Sequence, residues 1–259
     1  MHLNIAPART GLQWVRRGIR TFFRQPLALT GLFFLSTAVM KVLSMVPWIG
    51  GVLAAMLFPA ASLGLMVATW QASEGKFPMP STLLVAFRSG AAESRAMLVL
   101  GLICAGSFAL MAAIATLFGG GSQPVAIPAD GNMTPDMLAQ IFLHPANVVY
   151  TLFSIPLSLM FWHAPALVHW HNQPPLKSLF FSLIACARNV LPLTVFGLGW
   201  IGVLLAIYFP VMLIGALVGS SSFVVSLVVT VAVLVSAMIY ASVYFTFRDS
   251  FQDEPGENP

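Results

Sequence analysis

Apolar residues run along this chain in six nearly unbroken stretches, at 27–46, 49–71, 96–118, 148–170, 191–217 and 222–247. A helix needs about 20 mostly apolar residues to cross the hydrocarbon core of a bilayer. The stretches lack the period-two alternation of barrel strands, and a helix satisfies its own backbone groups in lipid. The pattern therefore predicts an all-α, polytopic membrane bundle of six transmembrane helices. Only Pro47-Trp48 separates the first two spans, and Gly219-Ser220-Ser221 separates the last two. Both breaks are tight turns, so these pairs fold as helical hairpins.

Before each odd-numbered span the pattern changes to a shorter segment that closes on a basic residue: 12–24, 81–95 and 176–188. On a helical wheel of the first, Leu12, Val15, Ile19, Phe22 and Phe23 share one arc, while Arg16, Arg17, Arg20 and Arg24 share the adjoining one. Such a helix either lies in the membrane interface with its arginines among anionic headgroups, or packs on the ends of the bundle. Aligning Arg24, Arg95 and Arg188 also aligns Leu12, Leu83 and Leu176, then Leu27, Leu98 and Leu191, then Leu29, Leu100 and Leu193. The chain thus reads as one transmembrane domain, 1–247, of three parallel units at about 11–72, 81–171 and 176–247. Each unit is a short cytoplasmic interfacial helix followed by a transmembrane hairpin. Parallel repeats occur in transporters and equally in membrane proteins that transport nothing.

Composition agrees with the pattern: 58% of the 259 residues are hydrophobic and 8% are charged, too few charges to cover a soluble surface. The placement of those charges adds more. Eleven of the 12 Lys and Arg fall on one side of the spans and only Lys41 on the other. The positive-inside rule then places both termini in the cytoplasm. The inner side nets +5 and the outer side −1, so the basic character points to anionic lipid as partner and not to nucleic acid. The first apolar run is too long for a signal peptide and lacks a small-residue cleavage site. Cys104 and Cys186 are read as packing residues at or near cytoplasmic span ends, not as a disulfide. The loop at 119–147 holds one helix signal, with Thr134 as N-cap, Pro135 at the first position and Asp136 in the first turn. Met137, Leu138, Ile141 and Phe142 would cover the membrane surface or the bundle. The tail, 248–259, is acidic and reads as disordered.

Candidate chemistry is sparse. No Asp or Glu falls inside the six stretches, which disfavours the carboxylate relays of ion-coupled transporters. Lys41 either snorkels to the outer interface or binds an anionic headgroup. His163, His169 and His171, in FWHAPALVHWH with Trp162 and Trp170, are the metal candidates. Their i, i+2 and i, i+6 spacings do not share a helix face as HExxH does, so an interfacial belt is the competing reading. Pro59, Pro156, Pro165 and Pro210 lie within spans, where bends either aid packing or frame a midplane cavity. Small residues recur every fourth position at Ala60, Gly64, Ala68 and Ala72, and again at Gly101, Ala105, Ala109 and Ala113. Such ridges mark helix contacts within one chain or between copies, a homo- or hetero-oligomer included. No nucleotide, hydrolase or thiol motif occurs, so no catalytic residue and no cofactor is assigned.

The opening ARTGLQWVRRGIRTFFRQPLAL, with FWHAPALV in the fourth span, resembles a family of six-span inner-membrane proteins of proteobacteria with no assigned activity. The resemblance implies location and topology and carries over no functional residue. The expected function is an accessory or structural inner-membrane protein working through lipid or protein partners. The alternatives are a transporter or lipid-handling protein without an intramembrane carboxylate relay and, on the histidines alone, a membrane-embedded enzyme.

Overall fold

The computed structural model describes residues 2–119, 134–219 and 221–252. Its helices follow the apolar pattern, with punctuation at proline, glycine and capping positions. They are α1 (Thr10–Arg24), α2 (Pro26–Ser44), α3 (Gly50–Ser73), a 3-10 turn (Pro80–Leu84) running into the single-turn α4 (Val85–Arg88), α5 (Ala91–Gly119), α6 (Pro135–Leu143), α7 (Pro145–His171), α8 (Pro175–Arg188), α9 (Val190–Val218) and α10 (Ser221–Ser250). Prolines open α2, α6, α7 and α8, where the missing N–H costs nothing. The Thr134 hydroxyl caps α6 by accepting from the Met137 N–H at 3.3 Å. Trp48, at φ 69°, turns the chain between α2 and α3, and Asn172, at φ 49°, ends α7.

Six of these helices, α2, α3, α5, α7, α9 and α10, are long and apolar enough to cross a membrane. The molecule is an all-α polytopic bundle of three hairpins. Two boundaries correct the sequence reading. The helix α5 begins early enough to include Glu93, and α10 runs on through Asp249, so spanning helices do carry carboxylates, in a first and a last turn. The segment 81–95 is not one helix: Gly90, at φ 130°, divides it, and Arg95 belongs to α5. Residues 120–133 of the loop at 119–147 and the acidic tail beyond Gln252 lie outside the described residues.

The second helices of the hairpins, α3, α7 and α10, meet at the centre, with α2 laid against α3 and α10, and α5 against α3 and α7. The short segments sit one unit back. The turn at 80–88 packs on α3, and α8 packs on α7. Having no earlier hairpin, α1 packs on the last one, against α10 and α9. Close backbone approach makes these contacts possible. A Cβ on Gly18 would meet Ser242, and one on Gly11 would meet Pro192 and Phe196. The α3 ridge is buried throughout, with Gly64 against Leu83. The α5 ridge packs through Gly101 and Ala105 only; Ala109 and Ala113 are exposed. A two-residue antiparallel pair, β1 (His2–Leu3) with β2 (Phe251–Gln252), joins the two ends of the chain.

Candidate functional site

The first and last described residues, paired as β1 and β2, and the starts of α2, α5 and α9 share one end of the bundle, called here the terminal end. Two polar side chains organise it. Asn189, almost fully buried, accepts from the Ala6 N–H at 2.8 Å and donates to the carbonyls of Asn4 and Ala185, each at 3.1 Å. Asp249 accepts from the Trp14 indole N–H at 2.9 Å and from Arg17 at 2.7 Å. Neither residue stood out in the sequence, because a single Asn or Asp near a helix end has no distinguishing pattern.

The three candidate histidines do not converge, and no group of three potential metal ligands occurs among the described residues. His163 is 1% exposed, between Phe247 and Phe251. Its backbone N–H donates to the Ser182 hydroxyl at 2.9 Å, and its Nε2 lies 3.1 Å from Thr246 Oγ1. Thr246 already donates to the Val243 carbonyl at 2.7 Å and accepts from the Trp162 indole at 3.1 Å. This assigns the proton to His163 Nε2 and makes the imidazole a structural donor. His169 contacts Glu93 instead, Nδ1 to Oε1 at 2.5 Å, tying α7 to α5. His171 lies against the rings of Phe247 and Phe251.

Both cysteines are free and buried. Cys186, on α8, sits 3.9 Å from His163 Nδ1. Burial pushes its thiol up to about 12, against a smaller opposing effect of Ser182, so it stays protonated and is a poor nucleophile at neutral pH. Cys104 lies at the middle of α5 rather than at its end, and it lines a cavity described below.

The basic residues divide by role. Arg17 is held by Asp249, and Arg24 donates to the Ser73 carbonyl at 2.7 Å, capping the last turn of α3. Arg16, Arg20, Arg95 and Arg188 are exposed at the terminal end, and none makes an ion pair among the described residues. Lys41 is exposed in the last turn of α2, at the opposite end. The apolar arc of α1 is split: Val15 and Phe22 are buried with Trp14 on the bundle, whereas Leu12 and Phe23 face outward.

Where α3, α5, α7 and α10 surround the centre, they leave a cavity of about 360 Å³. Its walls include Phe58, Ser62, Cys104, Ser158, Trp162 and Tyr240. Ser158 is the midpoint of α7, and Cys104 is close to that of α5. The cavity therefore sits at mid-depth, and among the described residues no charged side chain lines it.

One relative sets this architecture among known proteins. A probable inner membrane protein of Burkholderia thailandensis is 35% identical over 228 residues, which cover 87% of this chain and 84% of that protein. The chain belongs to that family of inner membrane proteins. No protein-family model matches the sequence, and no solved structure matches it.

Family membership and the six spans together make this a multi-pass integral protein of the inner membrane. Within that frame, sequence reasoning singled out the arginines and the histidines. It missed the Asn189 and Asp249 clamps, and it named neither Ser62 nor Tyr240. The in-span prolines were the one signal pointing to the cavity: Pro59 adjoins Phe58, and Pro156 adjoins Ile155 and Leu157.

Proposed function

We propose that this is an accessory protein of the inner membrane, with both termini in the cytoplasm, acting through anionic lipids and protein partners. The observation that carries this is a set of exposed arginines at the terminal end, Arg16, Arg20, Arg95 and Arg188 among them, left without carboxylate partners among the described residues. Each cation near an anionic leaflet contributes about 1 kcal/mol of attraction, within a Debye length of the surface. Arg17 and Arg24 have internal partners and serve the fold. Lys41, at the other end, takes the outer interface.

Ion-coupled transport and catalysis fit less well. The carboxylates on described spanning helices, Glu93 and Asp249, lie at helix ends and are engaged by His169 and by Arg17 and Trp14. Lipid handling is the second reading, favoured by the mid-depth cavity.

The test is native mass spectrometry of the full-length protein extracted from mixed zwitterionic and anionic vesicles. Wild type should retain anionic phospholipid. The combined R16Q, R20Q, R95Q and R188Q variant should lose that preference while remaining folded. Equal retention by both proteins would remove the headgroup role. A C-terminal reporter that is active only outside the cytoplasm should stay silent; activity would reverse the orientation.

A further inference from the structure

We propose that the mid-depth cavity is a binding site for one acyl chain of a membrane phospholipid, entering sideways from the bilayer between α7 and α10. The volume, about 360 Å³, falls within the ~300–1,000 Å³ of ligand sites. It is far larger than a packing defect, and tightly packed interiors tolerate few voids beyond the size of a water.

The wall chemistry selects the occupant. Two of the lining serines have turned their hydroxyls back on their own helix, Ser154 to the Thr151 carbonyl at 2.8 Å and Ser158 to the Ile155 carbonyl at 2.7 Å. The remaining surface is mainly aliphatic and aromatic, with Phe58, Phe108, Leu157, Phe161 and Ile239 among its contributors. An ionised headgroup placed inside would lose its hydration with no opposite charge to meet it. Water would find few of the two to four polar partners it needs. An unbranched hydrocarbon chain suits these walls, and its headgroup remains outside.

The packing of the hairpins shows where the chain enters. The first helix of the second hairpin, α5, bridges α3 and α7, and α2 likewise bridges α10 and α3. The third such helix, α9, packs on its mate α10 and on α1 and has no comparable seam with α7. The seam between α7 and α10 is closed at the terminal end by Trp162, His163 and Trp170 against Tyr244, Thr246 and Phe247. Farther along, the cavity lies between the same two helices, and Ile155 and Ser158 on its rim are exposed. A cavity that opens at mid-depth on a spanning helix opens on lipid. The bilayer itself therefore supplies the occupant. This inference rests on the spans alone and does not depend on the role of the arginines.

The experiment uses the full-length protein in bilayer nanodiscs, with two probes in separate arms: a phospholipid and a free fatty acid, each carrying a photoactivatable diazirine at mid-chain. The phospholipid should cross-link to peptides containing 154–162 and 239–243 in excess over the lipid-facing surface of α9 at 201–209. Ser158→Phe, a rim substitution that fills the mouth, should reduce that labelling about tenfold while leaving α9 labelling and thermal stability unchanged. Ser62→Leu, which fills the floor, serves as the second variant. Uniform labelling of outward faces, labelling by the fatty acid alone, or undiminished labelling in a folded Ser158→Phe protein would each overturn the proposal. Labelling of 154–162 and 239–243 should persist in R16Q/R20Q/R95Q/R188Q even if its anionic-lipid preference is lost, and loss of cavity labelling there would overturn the assignment.

Discussion

Asn189 shows how much of this fold depends on single polar side chains placed where water is excluded. Its amide satisfies the Ala6 N–H and the carbonyls of Asn4 and Ala185 at once, joining the N-terminal segment to the junction of α8 and α9. An unpaired buried backbone group costs about 1–3 kcal/mol. Asn189→Ala should therefore lower stability by roughly 2 kcal/mol, and hydrogen exchange at the Ala6 amide should accelerate while the interior of α5 keeps its protection. Unchanged exchange at Ala6 would show that the clamp is unimportant. His163 follows the same logic. Its ring donates to Thr246 while its backbone donates to Ser182, so it reads as a buried structural donor tying α7 to α8 and α10. The i, i+2 and i, i+6 spacings in the sequence set His169 apart from His171 and His163, while His163 and His171 both lie against Phe247 and Phe251. The spacings could not reveal that His163 is interior and His169 paired to Glu93, because both partners lie more than 75 positions away.

At the scale of the elements, glycine position decides which helices can touch. A Cβ on Gly18 would run into Ser242, reaching 2.8 Å from its Cα, whereas a Cβ on Gly31 meets nothing within 4 Å. Gly18→Ala should destabilise by about 1–3 kcal/mol through overpacking of α1 on α10. Gly31→Ala should be neutral or stabilising by up to about 1 kcal/mol, because alanine loses less backbone freedom in a helix. Thermal unfolding of the two single variants checks the contrast, and equal shifts would contradict the packing. The helices themselves were legible in the sequence wherever 20 apolar residues ran together, and the proline-started ends of α7 and α8 fell close to expectation. The segment before α5 was not legible as a break, because Gly90 looks like any loop glycine until its φ of 130° is known. The wheel of α1 sorts arginines from apolar residues. It could not say that Val15 and Phe22 face protein while Leu12 and Phe23 face outward, since lipid and helix interior are equally apolar partners.

For the whole molecule, the order of packing matters more than the number of spans. Each short segment rests on the hairpin before it, so the three units interlock, and α1 closes the set by resting on the last. Aligning the three basic residues in the sequence suggested the repetition. The packing of α1 on the last hairpin was invisible there, because it depends on contacts between residues more than 200 positions apart, such as Trp14 with Asp249. Closure makes a specific demand on Trp14. Its side chain is fully buried, packs edge-on against Phe196 of α9, and donates to Asp249 of α10. Truncating a buried Trp to Ala typically costs about 3–5 kcal/mol. If α1 were a local cap on its own hairpin, that loss would loosen α2 and α3. Since α1 is the clasp of the third hairpin, Trp14→Ala should raise hydrogen exchange at the terminal ends of α9 and α10, near 192–200 and 242–250. Protection in α5, which packs chiefly on α3 and α7, should be retained. Trp14→Phe keeps most of the apolar area but removes the bond to Asp249, and should produce the same regional pattern at smaller amplitude. Loosening that spreads evenly over all three hairpins would show that the units do not interlock in this order.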